Sequence, residues 1–364
     1  MTSASAYAER RDRVRSALAI TDAPALLVTY PANVTYLSGF TGSNGAVLVA
    51  PDRVDDRLAT DFRYVLQAAT ECPGLDLVVE RDVTTALVSV AAGLGLAHLG
   101  FEAHDLRVAT HERLRTAEPS LELVATTGVV EALRTVKDEG EIAALAEACR
   151  ISDVALGQLI TEVRVGMTER ALARRLESLM LDAGAASVSF DSIVAGGPNS
   201  AIPHHAPTDR ALCRGDLLKI DFGALYDGYH ADETRTFVVG ADPEPWQSAL
   251  HALVAEAQSA GIGALAVGAD VRDVDHAARS VIAAAGHAEH FGHGLGHGVG
   301  LDIHEAPMIG YATTGILGDR TPVTVEPGVY LPGRGGVRIE DTLVVRSGGP
   351  VSLTQTTREL LVLG

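Results

Sequence analysis

The chain has 364 residues with a formal net charge of −18, and hydrophobic residues make up 47% of it. This length suffices for about two domains with a sizeable core, and the acidic excess argues against nucleic acid or an anionic membrane as a partner. The three cysteines lie far apart without a Cys-x-x-Cys pair, and no apolar run is long enough for a membrane span. The composition therefore indicates a globular protein, and the cysteine usage favours a reducing, cytoplasmic setting.

The first 20 residues are rich in arginine but also carry Glu9 and Asp12 and lack an apolar core. They predict an amphipathic helix and not a targeting peptide. Residues 24–126 then alternate short apolar runs with helical patterns, which predicts a smaller α/β domain. The predicted strands are 25–30, 46–50, 75–79 and 121–124, and the predicted helices are 62–70, 84–93 and 104–117.

A change of composition near Thr126-Thr127-Gly128 predicts a domain boundary between residues 127 and 137. We assign residues 1–130 to the first domain and residues 131–364 to the second. The second opens with a long helix that begins near Asp138, where acidic residues suit the helix dipole. Further helices are predicted over 168–183, with Thr168 as N-cap, and over about 243–266 and 270–285, with Gly268 between them.

One hairpin organises the second domain. Residues 219–236 read KIDFGALYDGYHADETRT, and Asp227-Gly228 between two β-type runs is a strong signal for a type I′ turn. With these two residues at the centre of the turn, Asp221 and Asp232 become diagonal neighbours on one face, with Cα atoms roughly 7–8 Å apart. Two carboxylates that point together are costly without a positive charge between them, so the hairpin predicts a bound metal ion.

More polar side chains stand in apolar or glycine-rich surroundings nearer the C-terminus. They are His293, His297, His304, Glu326 and Glu340. Each has a simpler explanation by itself, since a lone buried carboxylate is more often part of a salt bridge and a histidine loop can merely cap helices. Together with the hairpin aspartates, however, they supply four carboxylates with histidines, which suits a site for two divalent ions. Such a site activates water for hydrolysis.

The motifs resemble those of the metallopeptidases with the "pita-bread" fold, and within them the Xaa-Pro branch of aminopeptidase P and prolidase. The resemblance rests on Asp221-Phe-Gly, Asp232-x-Thr-Arg, His293-x-x-x-His297 with His304, Val-Glu326-Pro-Gly and Arg338-Ile-Glu340-Asp. Tyr36-Leu-Ser-Gly-Phe-Thr-Gly and Thr60-Asp-Phe-Arg-Tyr64 resemble the N-terminal domain of that branch. The implied fold class is α+β, with a curved antiparallel pita-bread sheet that follows a smaller creatinase-type α/β domain.

The resemblance also implies a site and a reaction. The implied metal ligands are Asp221, Asp232, His297, Glu326 and Glu340, of which Asp232 and Glu340 bridge two ions, with Mn²⁺ or Co²⁺ expected and Zn²⁺ or Fe²⁺ as alternatives. A metal-bridging hydroxide would attack the carbonyl that precedes a proline nitrogen, and Glu326 would carry the proton to that nitrogen. His304 would stabilise the oxyanion, and His204 and His293 would bind substrate. Arg338 and Tyr330 would orient the carboxylates.

His230 departs from the family pattern, which has a small or amide side chain at this position. Strand alternation puts it on the face of Asp232, so it is a candidate for an extra group close to the metal held by Asp221. The alternative is a histidine at the solvent edge of the turn. Of the two adjacent histidines, His204 and His205, the Asn-x-x-x-Pro-His spacing indicates His204 as the one that would bind substrate.

The expected partners are small peptides with proline in the second position, and the protein is expected to form a homodimer or larger homo-oligomer, as most relatives do. The first domain would then serve substrate access and oligomerisation. The sequence leaves open whether dipeptides or longer peptides are cleaved. Two other classes remain: a metal-free amidinohydrolase of the creatinase kind, and a non-catalytic scaffold that kept the fold. Both are disfavoured because all five implied ligands are present.

Overall fold

The structure is a computed structural model that describes residues 4–364. The chain divides into two compact units, and the boundary along the sequence lies between Arg134 and Thr135. The helix predicted for the N-terminus is present as Ala4–Leu18, and the first three residues of that prediction lie outside the described residues. Its buried face carries Val14 and Leu18 together with two arginines. Of these, Arg11 donates to the carboxylate of Asp56 at 2.7 Å, so this helix packs through charge as well as apolar contact.

The first unit is built around one mixed sheet of six strands with helices around it. Its helices are α1 (Ala4–Leu18), α2 (Pro31–Ser38), α3 (Val65–Glu71), α4 (Val83–Gly93), α5 (Val108–Ala117) and α6 (Val129–Arg134). Its strands are β1 (Leu26–Val28), β2 (Gly45–Val49), β3 (Arg57–Thr60), β4 (Asp76–Val79), β5 (His98–Glu102) and β6 (Glu122–Thr126). The order is β4-β3-β2-β1-β5-β6, with β1–β2 and β2–β3 antiparallel and the other pairs parallel.

All four strands and all three helices predicted for residues 24–126 are present, with shifted ends. The sequence missed α2, β3 and β5. The segment of α2 carries Val34, Thr35 and Tyr36, which favour strands in isolation, and its helix signal is Pro31 at the first turn. Strand β3 is four residues long and flanked by charged residues, so its apolar pattern is too short to be recognised.

The second unit contains four helices and fourteen strands. Its helices are α7 (Glu139–Glu162), α8 (Glu169–Asp182), α9 (Pro245–Ala264) and α10 (Val271–Ala284). Its first strands are β7 (Ser187–Val188), β8 (Ile193–Gly196), β9 (Leu217–Phe222), β10 (Ala224–Tyr226), β11 (Tyr229–His230), β12 (Glu233–Val239) and β13 (Gly296–Gly298). The remaining strands are β14 (Glu305–Ile309), β15 (Thr321–Val325), β16 (Gly328–Leu331), β17 (Gly335–Arg338), β18 (Asp341–Val345), β19 (Val351–Ser352) and β20 (Val362–Leu363).

The helix starts follow the sequence signals. Asp138 caps α7 in a reciprocal capping box with Glu141, and the Thr168 side chain accepts from the backbone N–H of Ala171 at the start of α8. Gly268 lies between α9 and α10 with a φ of 89°, which only glycine adopts freely. All four helices predicted in this unit are thus confirmed.

Strands β9 and β12 form the antiparallel centre of the sheet β20-β12-β9-β8. Leu218, Ile220 and Phe222 of β9 pack against α7 and α8, whereas Leu217 joins the core formed with α9 and α10. Because side chains alternate, Lys219 and Asp221 point to the side of Leu217, away from α7 and α8. The backbone of β12 is also joined to a second sheet, β14-β13-β15-β18-β19, through an isolated bridge between Thr234 and Glu340, the residue directly before β18.

No helix between residues 4 and 364 is both long enough and apolar enough to cross a lipid bilayer.

Candidate metal centre and substrate cavities

The central hairpin has the predicted turn and register. Tyr226 pairs with Tyr229, and the two turn residues have φ values of 48° and 82°. Thr234 lies opposite Asp221, which makes Asp232 the diagonal neighbour of Asp221 as predicted.

Gly223 explains how the hairpin can close so tightly beside the site. A Cβ atom at this position would lie 1.8 Å from the carbonyl oxygen of Ala231. Any other residue would force the two strands apart there. The glycine in the Asp-Phe-Gly motif is therefore required by the close approach of the strands.

Three of the predicted ligands form a tight cluster. Ligand atoms of Asp232, His297 and Glu340 all lie within 4.8 Å of one another. Nε2 of His297 is 3.4 Å from Oδ2 of Asp232 and 3.5 Å from Oε1 of Glu326. Nδ1 of His297 is 3.0 Å from the carbonyl oxygen of Gly298, and since a carbonyl can only accept, Nδ1 carries the proton. Nε2 therefore faces the carboxylates, and it is the nitrogen that can bind a metal ion once its own proton is lost.

Asp221 lines one cavity together with the other four predicted ligands, and one of its oxygens already accepts a hydrogen bond. Oδ2 accepts a hydrogen bond from Nη2 of Arg338, while the buried Oδ1 has no hydrogen-bond partner among the described residues. Glu340 accepts from the hydroxyl of Thr234 at 2.6 Å. Each of these two carboxylates therefore keeps one oxygen that accepts no hydrogen bond from a described residue.

Burial and crowding make three of the carboxylates, those of Asp232, Glu326 and Glu340, reluctant to ionise in the absence of a cation. Burial raises the pKa of Asp232 to about 6 and that of Glu326 to about 7. Burial, reinforced by Asp232 and Glu326, raises the pKa of Glu340 well above its ordinary value. Burial lowers the pKa of His297, but the carboxylates of Asp232 and Glu326 outweigh it and raise that pKa to about 9.

The donor set fits two divalent ions. Four carboxylates and His297 line one cavity, and the guanidinium of Arg338 pairs with one of these carboxylates, that of Asp221. Oxygen-rich sites with a histidine are the ligand chemistry of hard and borderline divalent metals. The unpartnered oxygen of Asp221 is the kind of buried acceptor that a metal ion would satisfy.

The histidines predicted to act on substrate surround this cluster. His204 is exposed and lines both this cavity and a smaller one beside it, whereas its neighbour His205 is buried and contacts the carboxylate of Glu169 at 2.8 Å. His304 is exposed, and its ring stands edge-on to that of His297 at 4.4 Å between centroids. His204 and His304 thus have free access to a substrate, whereas His205 is held as a structural residue.

His293 is tied into a hydrogen-bonded chain with the two predicted orienting residues. Nη1 of Arg338 donates to the hydroxyl oxygen of Tyr330 at 2.9 Å, and that hydroxyl lies 2.9 Å from Nε2 of His293. Nδ1 of His293 lies 2.8 Å from the carbonyl oxygen of Gly294 and is therefore the protonated nitrogen. The Tyr330 hydroxyl consequently donates to His293, which gives the chain one direction.

The structure gives His230 a partner outside the carboxylate cluster. Its Nδ1 contacts the hydroxyl of Ser189 at 2.9 Å and the carbonyl oxygen of Ser189 at 3.1 Å. It is half-buried, and it is absent from the residues that line the two cavities beside the cluster. This contact does not support His230 as a metal ligand, and because the ring is half-buried and bound to Ser189 it is not a histidine at the solvent edge either.

Several residues around the site were not anticipated from the sequence. Nζ of the fully buried Lys219 donates to the carbonyl oxygens of Ile202 and Pro203, at 2.7 and 3.1 Å, directly before His204. Glu169 at the start of α8 accepts from the backbone N–H of Gly196 and of Thr208, which flank the same segment. Strand alternation puts Lys219 on the same face as Asp221, and this could have placed Lys219 near the site. The role of Glu169 could not be predicted in this way, because its partners lie 27 and 39 residues further along the chain.

The comparisons with known proteins agree with this geometry. Residues 143–347 match the family model described as metallopeptidase family M24, and residues 10–136 match the creatinase/prolidase N-terminal domain. A protein named Xaa-Pro dipeptidase from Pyrococcus horikoshii is 34% identical over 337 residues, which cover 93% of this chain and 94% of that one.

Solved structures give the same result. The Xaa-Pro dipeptidase from Bacillus anthracis has a TM-score of 0.94 at 37% identity, over 98% of this chain and 100% of that one. The X-Pro aminopeptidase from Thermotoga maritima has a TM-score of 0.89 at 34% identity, over 97% and 99%. The predicted fold class is thereby confirmed, with a creatinase-type N-terminal domain before a pita-bread domain. The chain, with its carboxylate and histidine cluster, belongs to metallopeptidase family M24.

Proposed function

We propose that the protein is an exopeptidase that hydrolyses the peptide bond preceding a proline and depends on two divalent metal ions. The observation that carries the proposal is the cluster of four carboxylates and His297 where two cavities meet. Asp232 and Glu340 would be shared between the ions, Asp221 would hold one of them, and His297 with Glu326 would hold the other. We expect Mn²⁺ or Co²⁺, with Zn²⁺ or Fe²⁺ as alternatives.

The side chains around the cluster divide the remaining work. Two bound divalent ions supply a nucleophilic water at neutral pH and polarise a carbonyl. Glu326 takes the proton from the attacking water and delivers it to the prolyl nitrogen, which has to be protonated as it leaves. His304 donates a hydrogen bond to the oxygen that becomes negatively charged. His204, exposed in both cavities, holds the substrate near the scissile bond.

The chain from Arg338 through Tyr330 to His293 orients these groups. Nε of Arg338 also donates to the Thr234 hydroxyl, the group that donates to Glu340. Arg338 thus contacts the carboxylate of Asp221 directly and that of Glu340 through the Thr234 hydroxyl. This fixes their positions before a substrate arrives, which lowers the reorganisation that the reaction requires.

The names of the relatives support a proline-directed substrate and differ in its length. The Bacillus anthracis structure is titled Xaa-Pro dipeptidase, and the Thermotoga maritima structure is titled X-Pro aminopeptidase. Peptides with proline in the second position are therefore the proposed substrates, and hydrolysis has to decide between dipeptides and longer peptides. Assembly into a homodimer or larger homo-oligomer is a further prediction, which sedimentation can check. The role of the N-terminal domain in substrate access and oligomerisation belongs to the same proposal.

The decisive experiment compares Ala-Pro, Ala-Pro-Gly and Ala-Ala as substrates of the protein supplied with Mn²⁺. We expect one or both proline peptides to be cleaved and Ala-Ala to be spared. Removal of metal with EDTA should abolish cleavage, and added Mn²⁺ should restore it. Cleavage of the dipeptide alone would make the protein a dipeptidase, and cleavage of the tripeptide would make it an aminopeptidase.

Metal content, measured by mass spectrometry on the same samples, separates the other classes. Two ions per chain without cleavage of any proline peptide would contradict the proposed substrate. Neither metal nor cleavage would favour a non-catalytic or metal-free relative. Glu340→Gln should lose at least one ion, whereas Glu177→Gln, which changes a carboxylate in the same cavity outside the cluster, should keep both.

A further inference from the structure

Two cavities meet at the carboxylate cluster. The larger has a volume of about 580 Å³ and the smaller about 280 Å³, and both are lined by His204, His297, Glu326 and Arg338. A peptide with its scissile bond at the cluster therefore places one residue on each side of this shared wall. The following inference rests on the proposed hydrolysis of Xaa-Pro bonds.

The smaller cavity suits the proline. Apart from the shared wall, it is lined by uncharged residues, many of them small, including Gly294, Gly296, Gly310 and Ile309. Gly294 and Gly296 are required there, because a Cβ atom would lie 2.8 Å from the carbonyl oxygen of Ile309 and 2.1 Å from that of Thr324 respectively. A compact, apolar prolyl ring fits such a wall. The residue before the proline then enters the larger cavity.

One face of α8 forms a wall of the larger cavity. Arg170, Ala173, Arg174 and Glu177 line it, and their spacing of three and four residues puts them on one side of a helix. Apolar side chains line the cavity too, namely Phe190, Ile193 and Ile303. The cavity thus joins an apolar floor, which suits the aliphatic part of a side chain, to a charged helix face.

The three arginines of this cavity differ in what they contact. Arg338 is buried and donates to Asp221, Tyr330 and other groups of the site. Arg170 pairs with Asp209 at 2.9 Å. Arg174 makes no hydrogen bond or ion pair with any residue from 4 to 364, although Glu177 is only three residues away on the same face. Its guanidinium is therefore available to a ligand.

We infer that Arg174 is a substrate-specificity residue that binds a carboxylate of the peptide in the larger cavity. A guanidinium recognises a carboxylate through two parallel hydrogen bonds. With the proline in the smaller cavity, the side chain of a Glu or Asp before the proline lies in the cavity of Arg174. The C-terminal carboxylate follows the proline, so it would reach Arg174 only in a peptide bound in the opposite direction, and the test separates these two sources. Glu177 and Asp191 also line the cavity and oppose an anionic ligand, and Arg174 itself is exposed. The expected effect is therefore moderate, about tenfold in kcat/KM.

Three pairs of substrates separate the sources, one for the side-chain charge and two for the terminal charge. Glu-Pro-amide against Gln-Pro-amide changes only the side-chain charge, and Ala-Pro-Gly against Ala-Pro-Gly-amide, together with Ala-Pro against Ala-Pro-amide, changes only the terminal charge. Each is assayed with the wild type, with Arg174→Gln and with Arg175→Gln. Arg175 is the matched control, because it is on the same helix, pairs with Glu162 at 2.6 Å and is not among the residues lining the larger cavity.

We expect Arg174→Gln to lower kcat/KM about tenfold for the charged member of one pair and to leave its neutral partner unchanged. The preference should weaken in high salt, since an exposed ion pair is screened. A loss within the first pair identifies an acidic side chain, and a loss within a terminal pair identifies the C-terminal carboxylate. Equal effects on charged and neutral members, or the same loss in Arg175→Gln, would overturn the inference.

Failure of the proposed reaction gives a different result. If none of these peptides is hydrolysed by the metal-loaded protein, the proposed function fails, and the same peptides can then be titrated calorimetrically without turnover. Tighter binding of a charged peptide than of its neutral partner, lost in Arg174→Gln only, would still support the role of Arg174. Equal affinities of the charged and neutral peptides for the wild type would reject it.

Discussion

Arg338 shows how much of the site depends on a single side chain. It is 2% exposed, and its guanidinium contacts Asp221, the Tyr330 hydroxyl, the Thr234 hydroxyl and the carbonyl oxygen of Pro203. Burying a charge is costly unless it is paired and hydrogen-bonded, and here all three nitrogens have partners. The sequence pattern suggested an orienting role, and the structure shows that these contacts reach both the carboxylates and the segment of His204.

Replacing Arg338 with Met should destabilise the metal-free protein by about 3–5 kcal/mol, because the change leaves the buried Asp221 carboxylate without its counter-charge. Urea unfolding of the metal-free protein measures this. The control is Arg272→Met, which removes an exposed arginine paired with Asp270 and should change stability by less than about 0.5 kcal/mol. Equal free energies of unfolding for the two variants would show that the ion pair between Arg338 and Asp221 does not stabilise the metal-free protein.

His230 makes a second test at this scale. His230→Ala should leave the metal content at the wild-type level and change kcat/KM by less than about twofold, because its ring contacts Ser189 and not the carboxylates. His297→Ala is the positive control and should lose metal. A loss of one ion in His230→Ala would show that this histidine reaches the metal after all.

Among the elements, the segment from Gly196 to Thr208 is held from both sides. Glu169 of α8 binds its backbone at Gly196 and Thr208, and Lys219 of β9 binds its carbonyls at Ile202 and Pro203. The segment lacks a β-ladder or α-helix of its own between residues 202 and 210. Its order therefore comes from these side chains, and so does the position of His204.

Lys219→Met should loosen this segment while keeping the volume of the buried side chain. The two carbonyls lose their donor, so we expect faster amide hydrogen exchange within 197–208 and a roughly tenfold lower kcat/KM for a cleaved substrate. The chain has one other lysine, Lys137, which is also buried and pairs with Glu305. Lys137→Met should reduce stability without selective exchange in 197–208, and the same exchange pattern in both variants would contradict the anchoring role.

At the scale of the whole molecule, stability should depend on pH through a buried histidine that is not part of the metal cluster. Burial lowers the pKa of His251 in α9 to about 4, and no charged group contributes to that shift. Between about pH 6.5 and 4 the unfolded chain binds a proton here that the folded protein does not. The free energy of unfolding therefore falls as the pH falls through this range, by about 3 kcal/mol from this group.

His251→Leu should remove that part of the pH dependence. Urea midpoints of the metal-free protein at pH 7 and pH 4.5 would then lie closer together in the variant than in the wild type. His276→Leu is the control, because His276 is exposed on α10 and should leave the difference unchanged. An unchanged difference in His251→Leu would mean that the ring is already accessible to protons in the folded state.

The sequence was most informative where chemistry is local. Asp227-Gly228 specified the turn, and the turn specified the register that makes Asp221 and Asp232 diagonal neighbours. The cap at Thr168 and the helix start near Asp138 were predicted because each signal acts within three residues. By contrast, β3 and β5 were missed, since a four- or five-residue strand is defined by its neighbours in the sheet more than by its own pattern.

The sequence by itself determined the family, the fold class and the residues of the carboxylate and histidine cluster, because hairpin periodicity and motif spacing are properties of short segments. Only the tertiary structure decided which atoms are free and which are engaged. Arg170, Arg174 and Arg175 look alike in the sequence, yet Arg174 alone among these three faces the cavity without a partner. Hydrogen bonding and burial depend on side chains brought together from distant segments, and spacing along the chain does not encode those distances.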